Sequence, residues 1–353
     1  MGARLRYQQV AVCPTTVIMQ TVVYNQFGEP ASVLGVREWP MPEPRPGQIR
    51  VRMLAAPVNP SDLMQIRGVY GMLPKLPATP GLEGVGVVES AGPGLLGKLL
   101  VGKRVCVPNS PTGSWAEFAI ASAKQAIPVP ASLPVEQAAM FFVNPATAYI
   151  MTRLVLRVPP NEWLLQTAAG SSLGKMVIRL GKRFGFKTIN VVRRAEQADE
   201  LRSLGADAAI VDDGGDLRTK LLGPLGHAHG VRFAIDPVGG ATGSAVTRCL
   251  APGGRLLLYG TLSGQPLSFS PRDLLTAGAS IEGFWLANWM SHQKLIGKLR
   301  LVRSVSKLIQ QGVLTSDVAH SFPLSNIREA VSAAEQPGRA GKVLLRIADA
   351  GKP

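Results

Sequence analysis

Cysteine, histidine and acidic residues are scarce in this chain of 353 residues, which has three Cys, four His and 23 Asp plus Glu against 38 Lys plus Arg. Cys13, Cys106 and Cys249 are far apart, so neither a disulfide framework nor a four-thiolate zinc site can be built from them. That usage fits a reducing compartment, and a cytoplasmic location is expected. No uninterrupted apolar stretch is long enough to span a bilayer, so no membrane partner is expected. Charged residues make up only 17% of the chain and hydrophobic ones 46%, which excludes a disordered protein and predicts large buried cores. The formal net charge of +15 is spread without any aromatic-interleaved basic run, which argues against a nucleic-acid partner. It reads as a solvated basic surface, one that also attracts anionic ligands.

What the chain does have is a strand, a tight turn, a helix and a second strand between Trp163 and Arg194. The apolar run Trp163 to Ala169 meets a turn of small residues, Gly170, Ser171, Ser172 and Gly174, with Leu173 among them. A helical pattern, Lys175 to Phe184, and a β-rich run, Thr188 to Val192, follow. Small residues at such a turn let backbone N–H groups approach a pyrophosphate, and the helix N-terminus adds its dipole. Beyond the second strand, an acid would accept from a ribose 2′-hydroxyl, whereas Arg193 and Arg194 suit a 2′-phosphate. The expected cofactor is therefore NADPH. Ser172 stands where a middle glycine is usual, so the surrounding βαβ context carries the assignment.

Around this core, length alone suggests two domains. Residues 1–18 hold Arg4 and Arg6 but neither an acid nor the sustained apolar core of a targeting peptide, and are expected to be an extension outside the fold. Short β-rich runs at 49–57, 84–90, 104–107 and 115–120 alternate with Pro- and Gly-rich turns, as in a partly closed β-barrel. A helical pattern from Val135 to Leu156, interrupted at Asn144-Pro145, leads into the βαβ core. Further strands are expected at 208–211, 231–235, 254–259 and 280–286. Their carboxyl ends bring Asp236, Tyr259, Gly260, Phe284 and Trp285 to the ligand side of an open α/β sheet. His292 to Gln311 reads as an amphipathic helix whose stripe of Leu295, Leu299, Val302, Leu308 and Ile309 packs in the core. A closing strand at 339–347 is expected to return to the barrel.

This order resembles the medium-chain dehydrogenase/reductase superfamily. The resemblance implies an α/β protein: a GroES-like, partly closed β-barrel catalytic domain (residues 19–143 and 291–353) with a doubly wound, parallel-sheet Rossmann domain (144–290). Its zinc enzymes hold a cysteine where Asn59 stands and a histidine where Leu82 precedes Glu83, so no metal is expected here. Without a metal, a proton must come from a side chain or water, and Tyr70, in a Gly-flanked loop, is the candidate acid. Residues 58–86, Val143 to Tyr149 and Gly283 to Trp289 are similar to the trans-2-enoyl thioester reductases of fatty-acid synthesis, over nearly all of 19–347. That similarity implies Tyr70 as proton donor. It also implies Asn144, Gly170 to Leu173, Arg193, Arg194, Tyr259, Gly260, Phe284, Trp285, Leu286 and Lys342 as NADPH contacts. The implied substrates are acyl thioesters, with an acyl carrier protein as a candidate partner and a homodimer as the assembly. Zinc-free quinone or enone oxidoreductases share the Gly-x-Tyr loop and remain the alternative, ahead of a non-enzymatic NADPH-binding regulator.

Overall fold

The computed structural model describes residues 17–222, 226 and 230–348. Residues 1–16, most of the expected extension, and Cys13 with them, lie outside the described residues, and Ile18 already belongs to a strand. The chain-order strands are β1 (Ile18–Val23), β2 (Gly35–Pro40), β3 (Gln48–Pro57), β4 (Val85–Ala91), β5 (Arg104–Cys106), β6 (Phe118–Ser122) and β7 (Ile127–Pro128). There follow β8 (Trp163–Gln166), β9 (Lys187–Val192), β10 (Ala208–Val211), β11 (Val231–Asp236), β12 (Leu250–Leu258), β13 (Ser280–Gly283), β14 (Val318–Pro323) and β15 (Lys342–Arg346).

Two sheets dominate. A seven-stranded sheet in the order β14-β15-β3-β4-β5-β7, with β6 also on β3, is mainly antiparallel and includes the C-terminal strands. A six-stranded parallel sheet runs β10-β9-β8-β11-β12-β13. Its strand order reverses between β8 and β11, so a crevice must open at their carboxyl ends. Both layers are joined by one continuous core in which Leu54 and Val85 share a cluster with Leu164, Leu173, Met176 and Val177.

The cofactor turn folds for local reasons. Ser171 is the N-cap of helix Ser172–Phe184, its hydroxyl accepting from Gly174 N at 3.1 Å. Gly185, at φ 79°, closes the helix in the left-handed conformation. Leu173, Met176, Val177 and Leu180 share one buried face, and Ile178 is buried on the other side against Val192, Ala198 and Leu201.

Two expectations change. Asn144-Pro145 does not interrupt a helix: both lie in the first turn of Val143–Tyr149, where the missing proline N–H costs nothing. The break falls instead at Met140–Phe142, between helices Val135–Ala139 and Val143–Tyr149, and the latter runs into a π-helical turn, Ile150–Val155. The second change concerns helix Leu295–Gln310. It buries Leu301, Val305, Leu308 and Ile309, but Leu295 and Leu299 are 67% and 60% exposed. The apolar stripe is core only over its C-terminal half.

A Cβ on Gly174 would collide with the carbonyl oxygen of Ala169, whereas one on Gly170 would meet only the flexible end of Gln197. Gly174→Ala should therefore destabilise by about 1–3 kcal/mol, an overpacking cost, and lower the thermal midpoint in calorimetry. Gly170→Ala should leave that midpoint nearly unchanged.

Candidate active site

The crevice begins with Asp236, the last residue of β11 and fully buried. Its carboxylate accepts from the Thr167 hydroxyl, from Val238 N at 3.0 Å and from Gly239 N at 2.8 Å. The ends of β8 and β11, the two strands flanking the topological reversal, are thus tied together at their carboxyl side. Ala168, just beyond Thr167, takes a positive φ of 48°, and its carbonyl accepts from Ser171 N at 2.9 Å. This is a strained residue at a ligand-side turn.

The sequence-expected cofactor residues gather around this edge. Gly170 and Ser172 are half-buried, Ser171 is exposed and Leu173 is buried at the turn. Arg193 and Arg194 are exposed beyond β9. They differ in one respect: the guanidinium of Arg194 lies over the turn at Gly338, where an added Cβ would sit 2.6 Å from its Nη1. Gly338, at φ 86°, leaves room for it. Tyr259 and Gly260 follow β12, and Tyr259 N donates to Asp236 O at 3.0 Å. The Tyr259 hydroxyl is buried with no hydrogen-bond partner among the described residues, and burial, then the charge of Asp236, hold its proton on firmly. A buried phenol without a partner is costly unless a ligand completes it. Phe284 is buried, with its N–H on Leu258 O at 2.7 Å, and half-buried Leu286 opens helix Leu286–Ser291.

Tyr70 and Trp285, 215 positions apart, meet. The indole Nε1–H donates to Tyr70 Oη at 3.0 Å, and the rings stand edge to face with centroids 5.9 Å apart at 87°. Because the indole donates, the phenol's own O–H remains free for a substrate atom. Burial raises the Tyr70 pKa, the Trp285 hydrogen bond lowers it, and the charge of Asp62 raises it again. The net direction is upward, so Tyr70 holds its proton at neutral pH.

The structure adds a buried polar group that sequence reasoning missed. Asn59 Nδ2 donates to Glu83 Oε1 at 3.0 Å, and the Lys342 ammonium donates to Asn59 Oδ1. Glu83 Oε2 accepts from Val143 N at 2.9 Å and Phe142 N at 3.3 Å. Asp62 accepts from Asn59 N at 2.7 Å and Leu82 N at 2.8 Å. Asn59, Asp62, Glu83 and Lys342 are all buried. Burial is the main cause raising Asp62 to about 7 and Glu83 above the usual carboxylate range, and lowering Lys342 to about 8. The signal available in the sequence was Glu83 itself, an acid inside a Gly- and apolar-flanked run. Asn144 lies on the helix that Glu83 caps, and Lys342 opens β15; these two stand apart from the Tyr70–Trp285 pair in the hydrogen-bond pattern.

This architecture has known counterparts. Residues 45–131 match the alcohol dehydrogenase GroES-like domain and residues 172–300 the zinc-binding dehydrogenase domain. The chain belongs to the medium-chain dehydrogenase/reductase superfamily and is an oxidoreductase of that superfamily. It is 35% identical over 337 residues to the mitochondrial enoyl-[acyl-carrier-protein] reductase of Rattus norvegicus, covering 93% of this chain and 88% of that one. Among solved structures, a Bacillus thuringiensis protein assigned as an NADPH:quinone reductase matches with TM-score 0.88 and 30% identity, over 94% of this chain and 100% of that one. The Etr1p/NADP/crotonyl-CoA complex matches with TM-score 0.80 and 26% identity, over 94% and 100%. The chain is thus related to both enoyl and quinone reductases.

The second domain name implies zinc, and the donors here do not fit it. Asn59 offers an amide already bonded on both sides, Leu82 offers nothing, and the Lys342 ammonium is itself a cation bonded to Asn59. Among the described residues no cluster of three His, Cys, Asp or Glu could hold a metal. Both described cysteines are buried, with Cys106 pushed well above the usual thiol range and Cys249 to about 12 by burial.

Trp285→Phe removes the donor that favours the phenolate while keeping an aromatic edge. The Tyr70 pKa should rise relative to the parent, as read by a 13C-tyrosine NMR titration against Tyr70→Phe as the assignment control.

Proposed function

We propose that this protein is an NADPH-dependent reductase of the 2,3 double bond of 2-enoyl thioesters, with Tyr70 as proton donor. The observation that carries the reading is the hydrogen bond from Trp285 to Tyr70 Oη, which orients the phenol and leaves its O–H uncommitted. NADPH, when bound, supplies a hydride to the β-carbon. Saturating the bond then requires one proton at the α-carbon, delivered directly or by way of the enol, and the Tyr70 phenol holds one across the neutral range. The residues that fit the cofactor are the Gly170–Leu173 turn for the pyrophosphate and Arg193 with Arg194 for the 2′-phosphate. Asn144, Tyr259, Gly260, Phe284, Leu286 and Lys342 complete that set, while Trp285 acts on Tyr70 and borders the cofactor. The reading takes 144–290 as the cofactor-binding unit and the flanking 19–143 and 291–353 as the catalytic one. It also takes the edge strand β13 as the pairing edge of a homodimer and an acyl-CoA or an acyl carrier protein as the acyl donor.

The quinone or enone alternative keeps a specific support, the likeness to the Bacillus thuringiensis structure. Steady-state rates with crotonyl-CoA against 1,4-benzoquinone separate the two, and turnover of the quinone alone would sink the enoyl assignment. A reduced quinone takes its protons on oxygen, where water suffices, whereas an α-carbon needs a positioned acid. Tyr70→Phe should therefore lower kcat for crotonyl-CoA by about 10²-fold or more and barely change any quinone rate. An unchanged crotonyl-CoA rate would remove Tyr70 from the reaction.

The cofactor preference has its own test. Arg193→Ala should raise KM for NADPH by about 10- to 100-fold, the loss of one or two charge-assisted hydrogen bonds, and leave KM for NADH within about twofold.

A further inference from the structure

Glu83 has no chemistry to perform in the reduction, yet it is buried and fully engaged. Its two carboxylate oxygens divide their work. Oε2 accepts the N–H groups of Phe142 and Val143, satisfying orphan donors at the start of helix Val143–Tyr149. Oε1 accepts from Asn59, whose opposite amide atom accepts from Lys342. One carboxylate therefore ties the first turn of the helix carrying Asn144 to the ammonium at the start of β15. These are elements from distant parts of the chain that converge where the two sheets meet.

Lys342 is only 5% exposed, and an ammonium has three N–H donors. Asn59 Oδ1 is the acceptor for one of them, and no other acceptor is found for Nζ among the described residues. A buried cation with unspent donors is expensive unless a ligand oxygen arrives. Asn144, half-buried on the capped helix, likewise has no side-chain hydrogen bond among the described residues.

We propose that Glu83 is a positioning residue: through Asn59 it aims the Lys342 ammonium, and through the Phe142 and Val143 N–H groups it fixes the Asn144 helix, so that both engage hydroxyl or phosphate oxygens of the bound dinucleotide. This rests on the NADPH reading above. The Asn59 amide takes one N–H and fixes the direction of the ammonium without neutralising it as a contacting carboxylate would, so two N–H groups and the positive charge remain for the ligand.

The charges facing Lys342 give the relay a signature. Burial lowers its pKa, Glu83 and then Asp62 raise it, and Arg339 lowers it. Removing the Glu83 charge takes away a raising contribution, so the ammonium must lose its proton at lower pH than in the parent.

The test measures NADPH dissociation constants by nucleotide fluorescence from pH 6 to 10 on the full chain, with thermal midpoints alongside. The variants are Glu83→Gln, Asn59→Ser and Lys342→Met. The proposal expects Glu83→Gln to weaken NADPH binding about tenfold near neutral pH and to move the alkaline weakening to lower pH. Asn59→Ser, which spares the bonds from Phe142 and Val143, should weaken binding by a smaller factor. Lys342→Met should abolish the alkaline limb. If folded Glu83→Gln and Asn59→Ser bind NADPH like the parent with the same pH limb, the relay is wrong and the reductase reading stands. If the parent binds no NADPH, the reductase reading itself fails. A Glu83→Gln that loses thermal stability while Asn59→Ser keeps the parental limb also overturns the relay, since Glu83 would then be structural only.

Discussion

The carboxylate of Asp236 is the point on which the crevice depends. A parallel sheet whose strand order reverses must part its loops at the reversal, and something has to hold the parted ends at a fixed spacing. Asp236 does so from the end of β11 by taking the Thr167 hydroxyl from the end of β8 and two backbone N–H groups of its own turn. The strained Ala168, the capped helix that starts at Ser172 and the buried Tyr259 phenol all sit on the frame this one side chain sets. A neutral isostere would keep the shape but weaken the charge-assisted bonds.

Where a metal would serve in zinc relatives, this chain keeps a hydrogen-bonded group of buried titratable side chains. Two carboxyl groups and one ammonium are buried around Asn59, and each carboxyl accepts backbone N–H groups as well. The carboxyls are satisfied by these donors, the ammonium keeps N–H groups beyond its bond to Asn59, and removal of any one member strips the others of a buried partner.

The cofactor half of the molecule was legible because its signals are local. The near-continuous apolar runs of the strands, the Ser171 cap and Gly174 are each short-range features, and the strands fall within a few residues of expectation. Tyr70 and Trp285 were each visible as candidates, but their hydrogen bond joins loops that only the assembled sheets bring together. Glu83 was legible as the acid beside Leu82, where the metal motif departs, and illegible as an organiser, since its partners Phe142, Val143 and Asn59 are backbone and amide groups without a sequence signature. The Leu295–Gln310 stripe misled for the opposite reason: periodicity says which residues share a face, not over what length that face is covered.

The Tyr70–Trp285 contact spans two bodies, with the phenol on the loop after helix Pro60–Ile66 and the indole after β13. Any hinge motion that widens the crevice separates them. Apart, the phenol would keep its proton at neutral pH but lose the indole donor; together, the indole steadies the charge left when that proton departs. The stabilisation of the Tyr70 anion is therefore a property of the joined pair rather than of the residue, and a crevice held open would keep its phenol while losing the donor that receives the charge.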